Sequence, residues 1–208
     1  MLLRDQTVRG FSDILASEAP APGGGSVAAL NGALAGALVH MVGGLTLAKE
    51  KYAEFHPEMR EIMESAKELY NKLLVAIDED TEAFNKVSAV FTMPKDTPEQ
   101  KTARTEAMQN ALKAAALTPL DTMKFVLTSL KLAERAYGKT NTTCMSDFGV
   151  AVLCALAAVR GAWLNVKINI SGIKDESFKE KIGGEAREIL AQSEKLAEEL
   201  YKKIEQDI

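Results

Sequence analysis

The chain has 208 residues, of which 47% are hydrophobic and 26% charged, so it can bury a sizeable core and is not disordered throughout. Its formal net charge of -4 excludes the broad cationic surface expected of a protein that binds nucleic acid or an anionic membrane. Because the N-terminus lacks the apolar core of a signal peptide, and Cys144 and Cys154 are spaced about 15 Å apart in a predicted helix, we expect free thiols and a cytoplasmic location.

Helical periodicity fills the chain, and no strand-like alternation stands out. Helices are predicted at about Thr7–Glu18, Gly25–Tyr52, Pro57–Phe91, Thr97–Pro119 with a continuation to Tyr137, Ser146–Ile170, and Asp175 to the C-terminus. Pro119 is expected to break or kink its helix. Since no linker or repeat interrupts the chain, residues 1–208 are predicted to form one all-α domain, a bundle of six to eight helices, several of them long.

The second predicted helix carries no Asp, Glu, Lys or Arg from Ser26 to Ala48 and is long enough to cross a bilayer. Its high content of glycine and alanine nevertheless favours a buried helix of a soluble protein, with no membrane partner. Small residues recur at four-residue spacing, at Ala28, Gly32, Gly36 and Gly44. This spacing lets two helix backbones approach closely. We call these four residues the small-residue ridge, and we predict that it packs against another helix across a two-fold axis in a dimer.

A glycine-rich stretch, Pro20-Ala21-Pro22-Gly23-Gly24-Gly25-Ser26, precedes this helix and is called the glycine segment below. One interpretation is an anion site, because the segment leaves its N–H groups uncovered at the positive end of a helix. The other is a flexible turn with Ser26 as the N-cap. It is not a phosphate-binding loop of the Walker type, since no Gly-Lys-Ser/Thr follows.

Asp80 falls on the apolar side of the third predicted helix. At about 100° per residue, it projects among residues that span roughly 80° of arc, Leu69, Leu73, Ala76, Phe84 and Val87. Asp78, Glu79 and Glu82 are predicted to face solvent instead. A carboxylate on a core-facing stripe is costly unless it is paired or used, and burial would raise its pKa towards the range useful for acid–base catalysis. A buried salt bridge or a cap to a neighbouring helix is the alternative.

Other polar residues support weaker interpretations. The uncharged helix ends in Lys49, Lys51 and Tyr52. The helix dipole alone explains cations at a C-terminal end. The alternative is that a lysine lies beside a buried carboxylate and orients that carboxylate. Asn165 and Asn169 share a face with small residues, so they either bridge packed helices or line a pocket. The two histidines and two cysteines lack ligand spacing, and no metal site is predicted.

The order and spacing of these motifs resemble the cyclodeaminase/cyclohydrolase family of one-carbon folate enzymes over close to the full chain. The matching motifs are the glycine segment, Leu45-Thr46 with Lys49, Lys51 and Tyr52, Asp80 with Ala83-Phe84, Pro94-Lys95 with Thr97-Pro98-Glu99, Pro119-Leu120, Asn141, Ser146-Asp147 with Gly149-Val150, and Asn165-Val166. Two positions depart from the family pattern: Ala48, where a glycine is expected, and Glu50, where a third lysine is frequent.

The resemblance implies an all-α homodimer that binds a tetrahydrofolate derivative near the glycine segment, without a metal or other cofactor. It implies Asp80 as the acid–base group, with Lys49 orienting Asp80 or stabilising charge. Roles in substrate binding are implied for Pro22, Gly23, Gly24, Gly25, Ser26, Lys51, Tyr52, Asn141, Ser146, Asp147 and Asn165.

Two reactions with related tetrahedral intermediates fit this resemblance. The first is hydrolysis of 5,10-methenyltetrahydrofolate to 10-formyltetrahydrofolate, which we favour because no formiminotransferase domain accompanies the chain. The second is cyclodeamination of 5-formimidoyltetrahydrofolate, which releases ammonia and forms the 5,10-methenyl compound. A non-catalytic helical dimer and a phosphate-binding protein are the remaining hypotheses, and the missing phosphate-loop lysine counts against the last.

Overall fold

The computed structural model describes residues 1–208 as six α-helices with no strand. The helices are α1 (Val8–Leu15), α2 (Gly24–Leu47), α3 (His56–Phe91), α4 (Pro98–Ala136), α5 (Met145–Ser171) and α6 (Glu176–Gln206). Short 3-10 turns lie at Leu3–Asp5, Glu50–Phe55 and Thr142–Cys144. The prediction of an all-α bundle of six to eight helices is confirmed.

Helix α2 is central and packs against α3, α4 and α5. Its small residues make this possible: a Cβ at Gly32 would lie 2.9 Å from Val126 Cγ2 of α4, and one at Gly36 would lie 3.1 Å from Tyr70 Cβ of α3. Ala28 meets Gly161 of α5 in the same way. The predicted close packing is therefore present, but all of these contacts lie within one chain, and the prediction that the ridge crosses a two-fold axis is wrong.

Two helical segments, Gly24–Leu47 and Thr142–Ser171, are long and apolar enough to cross a membrane when judged by length and composition alone. Half of the most apolar window of each is buried inside the protein. These are the helices that supply much of the core, with Val42, Phe148 and Val159 fully buried.

Helix α2 ends earlier than predicted. Lys49 has an extended backbone (φ -119°, ψ 117°), and the chain continues as the 3-10 turn Glu50–Phe55 rather than as helix to Tyr52. In this turn the Tyr52 hydroxyl accepts a hydrogen bond from the Thr142 N–H at 3.0 Å. A contact between residues 90 positions apart thus competes with the local helical pattern.

Helix α4 continues through Pro119, so the predicted break is wrong. Proline has no N–H, and the carbonyl of Ala115, four residues earlier, consequently lacks its helical donor. The Asn169 side chain of α5 replaces that donor, with Nδ2 3.0 Å from the Ala115 oxygen. A tertiary hydrogen bond therefore supports the helix at the position where its own ladder is interrupted.

Candidate active site

A cavity of about 250 Å³ lies at the N-terminal end of α2, enclosed by α3, α4 and α5. Its lining includes Gly23, Gly24 and Gly25 of the glycine segment, Asp80 of α3, and Asn165 and Asn169 of α5. The glycine segment and the apolar side of α3 therefore line the same cavity.

Asp80 is the acidic group of this cavity. Its Oδ2 accepts a hydrogen bond from the Ser26 hydroxyl at 2.9 Å, and Asp80 belongs to none of the ion pairs in the protein. Burial raises the pKa of the Asp80 carboxyl, and hydrogen bonds from the Ser26 side chain and backbone oppose this effect only in part. The salt-bridge alternative is wrong, whereas contact with the start of a neighbouring helix is present. Without a cation, the carboxyl is poised to accept and return a proton.

The glycine segment brings α2 against this carboxylate. A Cβ at Gly25 would overlap the carboxyl group of Asp80, so only glycine allows the close approach. The N-cap of α2 is Gly23, and the Ser26 hydroxyl also donates to the Ile77 carbonyl oxygen at 3.1 Å. The interpretation of Ser26 as the N-cap is therefore wrong, and its hydroxyl is directed to Asp80. The anion site at the N–H groups of the segment stays a prediction.

The two asparagines of α5 occupy the opposite wall. Asn165 Nδ2 donates to the Gly161 carbonyl at 2.9 Å, and Asn169 donates to Ala115 as described above. The amides thus line a pocket, and Asn169 also bridges two helices. The sequence left bridging and pocket lining as alternatives for both asparagines, and only Asn165 was assigned a role in substrate binding; Asn169 does both.

Phe84 completes the cavity from α3 and is 39% exposed. It was predicted as part of the core-facing stripe, and it lies instead where that stripe reaches the open side of the cavity. Pro22 and Ser26 are buried and do not line the cavity.

A second group of predicted site residues lies at the other end of α2, and we call it the distal cluster. It consists of Lys49, Lys51, Tyr52, Asn141, Ser146 and Asp147. Since the 24 residues of α2 span about 36 Å, Lys49 cannot reach Asp80 within one chain, and their pairing in a single protomer is wrong.

Tyr52 is the most perturbed group of the distal cluster. Lys51, followed by hydrogen bonds with Thr142, lowers the pKa of Tyr52 to about 8. The Lys51 ammonium lies 4.6 Å from the centre of the tyrosine ring. The neighbouring Asn141 is buried, and its backbone N–H donates to Thr46 Oγ1 at 2.9 Å, which ties this cluster to the last turn of α2.

Asp78 does not face solvent as predicted. Its side chain accepts a hydrogen bond from the Leu3 N–H at 2.6 Å and pairs with Arg4 at 3.3 Å. The N-terminal 3-10 turn covers this side of α3, so Asp78 anchors the start of the chain. Glu79 and Glu82 are exposed as predicted. No group of three or more His, Cys, Asp or Glu side chains is arranged to hold a metal ion.

Known proteins share the sequence family and the fold of this chain. The sequence profile of the formiminotransferase-cyclodeaminase family matches residues 7–188. A methenyltetrahydrofolate cyclohydrolase of Methylorubrum extorquens is 39% identical over 204 residues, 98% of each chain. The rat formimidoyltransferase-cyclodeaminase is 34% identical over 179 residues, which cover 86% of this chain and 33% of that protein. The crystal structure of formiminotetrahydrofolate cyclodeaminase from Thermotoga maritima superposes with a TM-score of 0.88 at 31% identity, covering 98% of each chain.

Proposed function

The chain belongs to the formiminotransferase-cyclodeaminase family, and we propose that it hydrolyses 5,10-methenyltetrahydrofolate to 10-formyltetrahydrofolate. It is an enzyme of one-carbon folate chemistry. Hydrolysis is favoured because the cyclohydrolase relative matches over 98% of both chains at 39% identity, whereas the chain spans a third of the rat bifunctional relative.

The observation that carries this proposal is the unpaired Asp80 carboxyl in the wall of the cavity. The methenyl substrate carries a positive charge delocalised over N5, the bridging carbon and N10. A carboxylate without a cation of its own stabilises that charge and also supplies a base. The amides of Asn165 and Asn169 offer hydrogen bonds to the edge of a flat pterin, and Phe84 offers an apolar surface.

The proposed reaction proceeds through two proton transfers at Asp80. Asp80 accepts a proton from water as the water oxygen bonds to the bridging carbon, giving a neutral tetrahedral intermediate. Asp80 then donates this proton to N5 as the bond between carbon and N5 breaks. The remaining hydroxyl proton passes to solvent as the formyl group forms on N10, so the overall reaction consumes one water and releases one proton. The raised pKa of Asp80 suits both roles.

We propose that the enzyme is a homodimer formed through the solvent side of α2 and α5. This side is apolar, and the large side chains on it are 38% to 71% exposed: Leu34, Met41, Leu45, Val150, Leu153, Leu164 and Ile168. Ile168 also lines the Asp80 cavity, so the cavity opens towards the surface that a second copy would cover.

A two-fold arrangement offers a role for the distal cluster. If α2 packs antiparallel to α2 of the second copy, the C-terminal end of one helix lies beside the N-terminal end of the other. Lys49 and Tyr52 of one chain would then approach Asp80 of the other. In this form the predicted pairing of Lys49 with Asp80 remains a proposal, between chains. We also place the reaction in the cytoplasm, in keeping with the free thiols of Cys144 and Cys154.

Cyclodeamination is the second candidate, supported by the Thermotoga maritima cyclodeaminase, which has the same fold over 98% of each chain. The purified protein is to be given both substrates while the methenyl absorbance and released ammonia are followed separately. We expect loss of the methenyl absorbance in the first assay and no ammonia in the second. Ammonia release faster than methenyl hydrolysis would establish the second candidate, and no turnover in either assay would contradict both.

A further inference from the structure

The Ser26 hydroxyl is surrounded by more acceptors than it has hydrogens to donate. Ser26 is fully buried, with 0% of its surface exposed, and it does not line the Asp80 cavity. Its Oγ lies 2.9 Å from Asp80 Oδ2, 3.1 Å from the Ile77 carbonyl oxygen and 3.4 Å from Thr81 Oγ1. Because a serine hydroxyl carries one hydrogen, it donates to Asp80 or to Ile77 at any one time, and not to both.

The charge of Asp80 decides which acceptor receives the Ser26 hydrogen. A hydrogen bond to an ionised carboxylate is charge-assisted, so the hydroxyl donates to Oδ2 while Asp80 is charged. Once the carboxyl is protonated, it loses this advantage over the Ile77 carbonyl. The exchange needs only a rotation of the hydroxyl, because both acceptors already lie within hydrogen-bond distance of Ser26 Oγ.

Asp80 is the only ionisable side chain among the residues that line its cavity. The glycine segment, α4 and α5 contribute apolar residues, glycines and the amides of Asn165 and Asn169. The charged side chains of α3 and α4 close to this region line a separate groove: Glu79, Glu82, Lys86 and Asp121. In the proposed dimer, Lys49 of the second copy would also approach Asp80, equally in wild type and in variants of Ser26. Within one chain, the donor that responds to the charge of Asp80 is therefore Ser26.

We propose that Ser26 is a positioning residue whose hydroxyl changes partner with each proton transfer, donating to Asp80 Oδ2 in the charged state and to the Ile77 carbonyl in the neutral state. This inference rests on the proposed function, in which Asp80 accepts a proton from water and returns it to N5. Ser26 stabilises the charged carboxylate and leaves the neutral carboxyl free of an unpaired donor. This role differs from the substrate contact that the resemblance implied for Ser26, because no surface of Ser26 is exposed to a ligand.

The test titrates Asp80 by carbon-13 NMR in wild type, Ser26→Ala and Ser26→Cys, with the carboxyl signal assigned from its loss in Asp80→Asn. Hydrogen bonds from Ser26 lower the pKa of Asp80, so its titration midpoint should move to higher pH in Ser26→Ala. Ser26→Cys should give a smaller move, because a thiol is a weaker donor. The Ile77 carbonyl signal should titrate together with Asp80 in wild type and lose most of this response in Ser26→Ala. Below the midpoint, kcat/KM of Ser26→Ala should be roughly tenfold lower than that of wild type, and above it within about threefold.

The matched control is Ser193→Ala, which removes another fully buried serine hydroxyl, on α6 and outside the Asp80 cavity. It should leave the Asp80 midpoint and the Ile77 signal unchanged. Circular dichroism melting verifies folding, and Ser26→Cys carries the test if Ser26→Ala does not fold. An unchanged Asp80 midpoint, or an Ile77 response that is independent of Ser26, would overturn the proposal while turnover leaves the proposed function standing. Because the titration needs no substrate, absence of turnover would refute the proposed function alone, and the two NMR signals would still decide whether Ser26 changes partner.

Discussion

Two aspartates of α3 that are two residues apart, Asp78 and Asp80, have different environments. Asp78 is buried against Arg4 and the backbone of Leu3, so its charge is compensated and it anchors the N-terminus. Asp80 accepts hydrogen bonds from Ser26 but has no cation, so its charged form is the less well compensated of the two. The uncompensated carboxyl is the one that faces the cavity.

Replacing Asp80 by Asn tests its catalytic role. The amide oxygen can still accept from Ser26, so the contact with α2 is preserved while proton transfer is lost. We expect kcat to fall by about 10²- to 10⁴-fold, measured by the methenyl absorbance, and KM to rise because the cationic substrate also loses its counter-charge. The exposed Glu79→Gln serves as the control and should leave kcat unchanged. A similar loss in both variants would contradict the assignment.

The pKa shift of Asp80 predicts two pH effects of defined sign. Because the carboxyl must be ionised to accept a proton from water, kcat/KM should fall as pH decreases through its raised pKa. The pKa of Asp80 is higher in the folded than in the unfolded chain, so folding favours the protonated carboxyl. The free energy of unfolding of wild type should therefore decrease as pH rises from the pKa of the unfolded chain towards that of the folded chain. Asp80→Asn removes this dependence, so denaturant unfolding should show the variant gaining on wild type as pH rises. A difference independent of pH would contradict the shift.

Sequence reasoning found Asp80 because its position relative to Leu73 and Ala76 is a local property of helix geometry. It misassigned Asp78 because the Leu3 N–H that binds this carboxylate is 75 positions away, in a 3-10 turn that hydrophobic periodicity does not predict. It also placed Lys49 beside Asp80 on motif order alone, whereas helix length separates them in one chain.

At the scale of the helix, Pro119 and Asn169 act as a pair. The proline removes a donor from α4, and the asparagine of α5 supplies one to the same carbonyl, at the edge of the cavity. The predicted start of this helix at Thr97 agrees with the structure, in which Thr97 is the N-cap of α4 and forms a capping box with Gln100. The sequence predicted helix on both sides of Pro119 with a break or kink between them. The support that lets the helix run through was not predictable, because it depends on a side chain from another helix.

A double-mutant cycle measures this coupling. Asn169→Leu should destabilise the protein by about 1–3 kcal/mol, because the Ala115 carbonyl loses the donor that replaces its missing helical N–H. In a Pro119→Ala background the helix itself supplies an N–H, and the same substitution should cost clearly less. Denaturant unfolding of the four proteins gives both values. Equal costs in the two backgrounds would show that the asparagine does not compensate for the proline.

At the scale of the whole molecule, the two sides of α2 have separate uses. The small-residue ridge is buried against α3, α4 and α5 of the same chain, so it cannot also form a dimer contact. Leu34 remains exposed on the opposite side of α2, and Leu164 of α5 is likewise exposed. Four-residue spacing of small residues indicates close helix packing, but it carries no information about whether the partner helix belongs to the same chain.

Mixing two inactive variants tests the proposed dimer and its shared site. Asp80→Asn and Lys49→Gln should each be strongly impaired alone. In a dimer whose sites each use Asp80 from one chain and Lys49 from the other, a heterodimer of the two variants has one intact site and one doubly altered site. Random exchange of chains makes half of the dimers mixed, so activity should recover to about a quarter of wild type. Leu164→Glu places a charge on the exposed apolar surface, so sedimentation should show monomers and the recovery of activity should be lost. The control Val8→Glu, at an 88% exposed residue of α1, should leave both the dimer and the recovery intact. If the mixture stays inactive while sedimentation shows that chains exchange, Lys49 and Asp80 do not share a site, and the distal cluster requires another role.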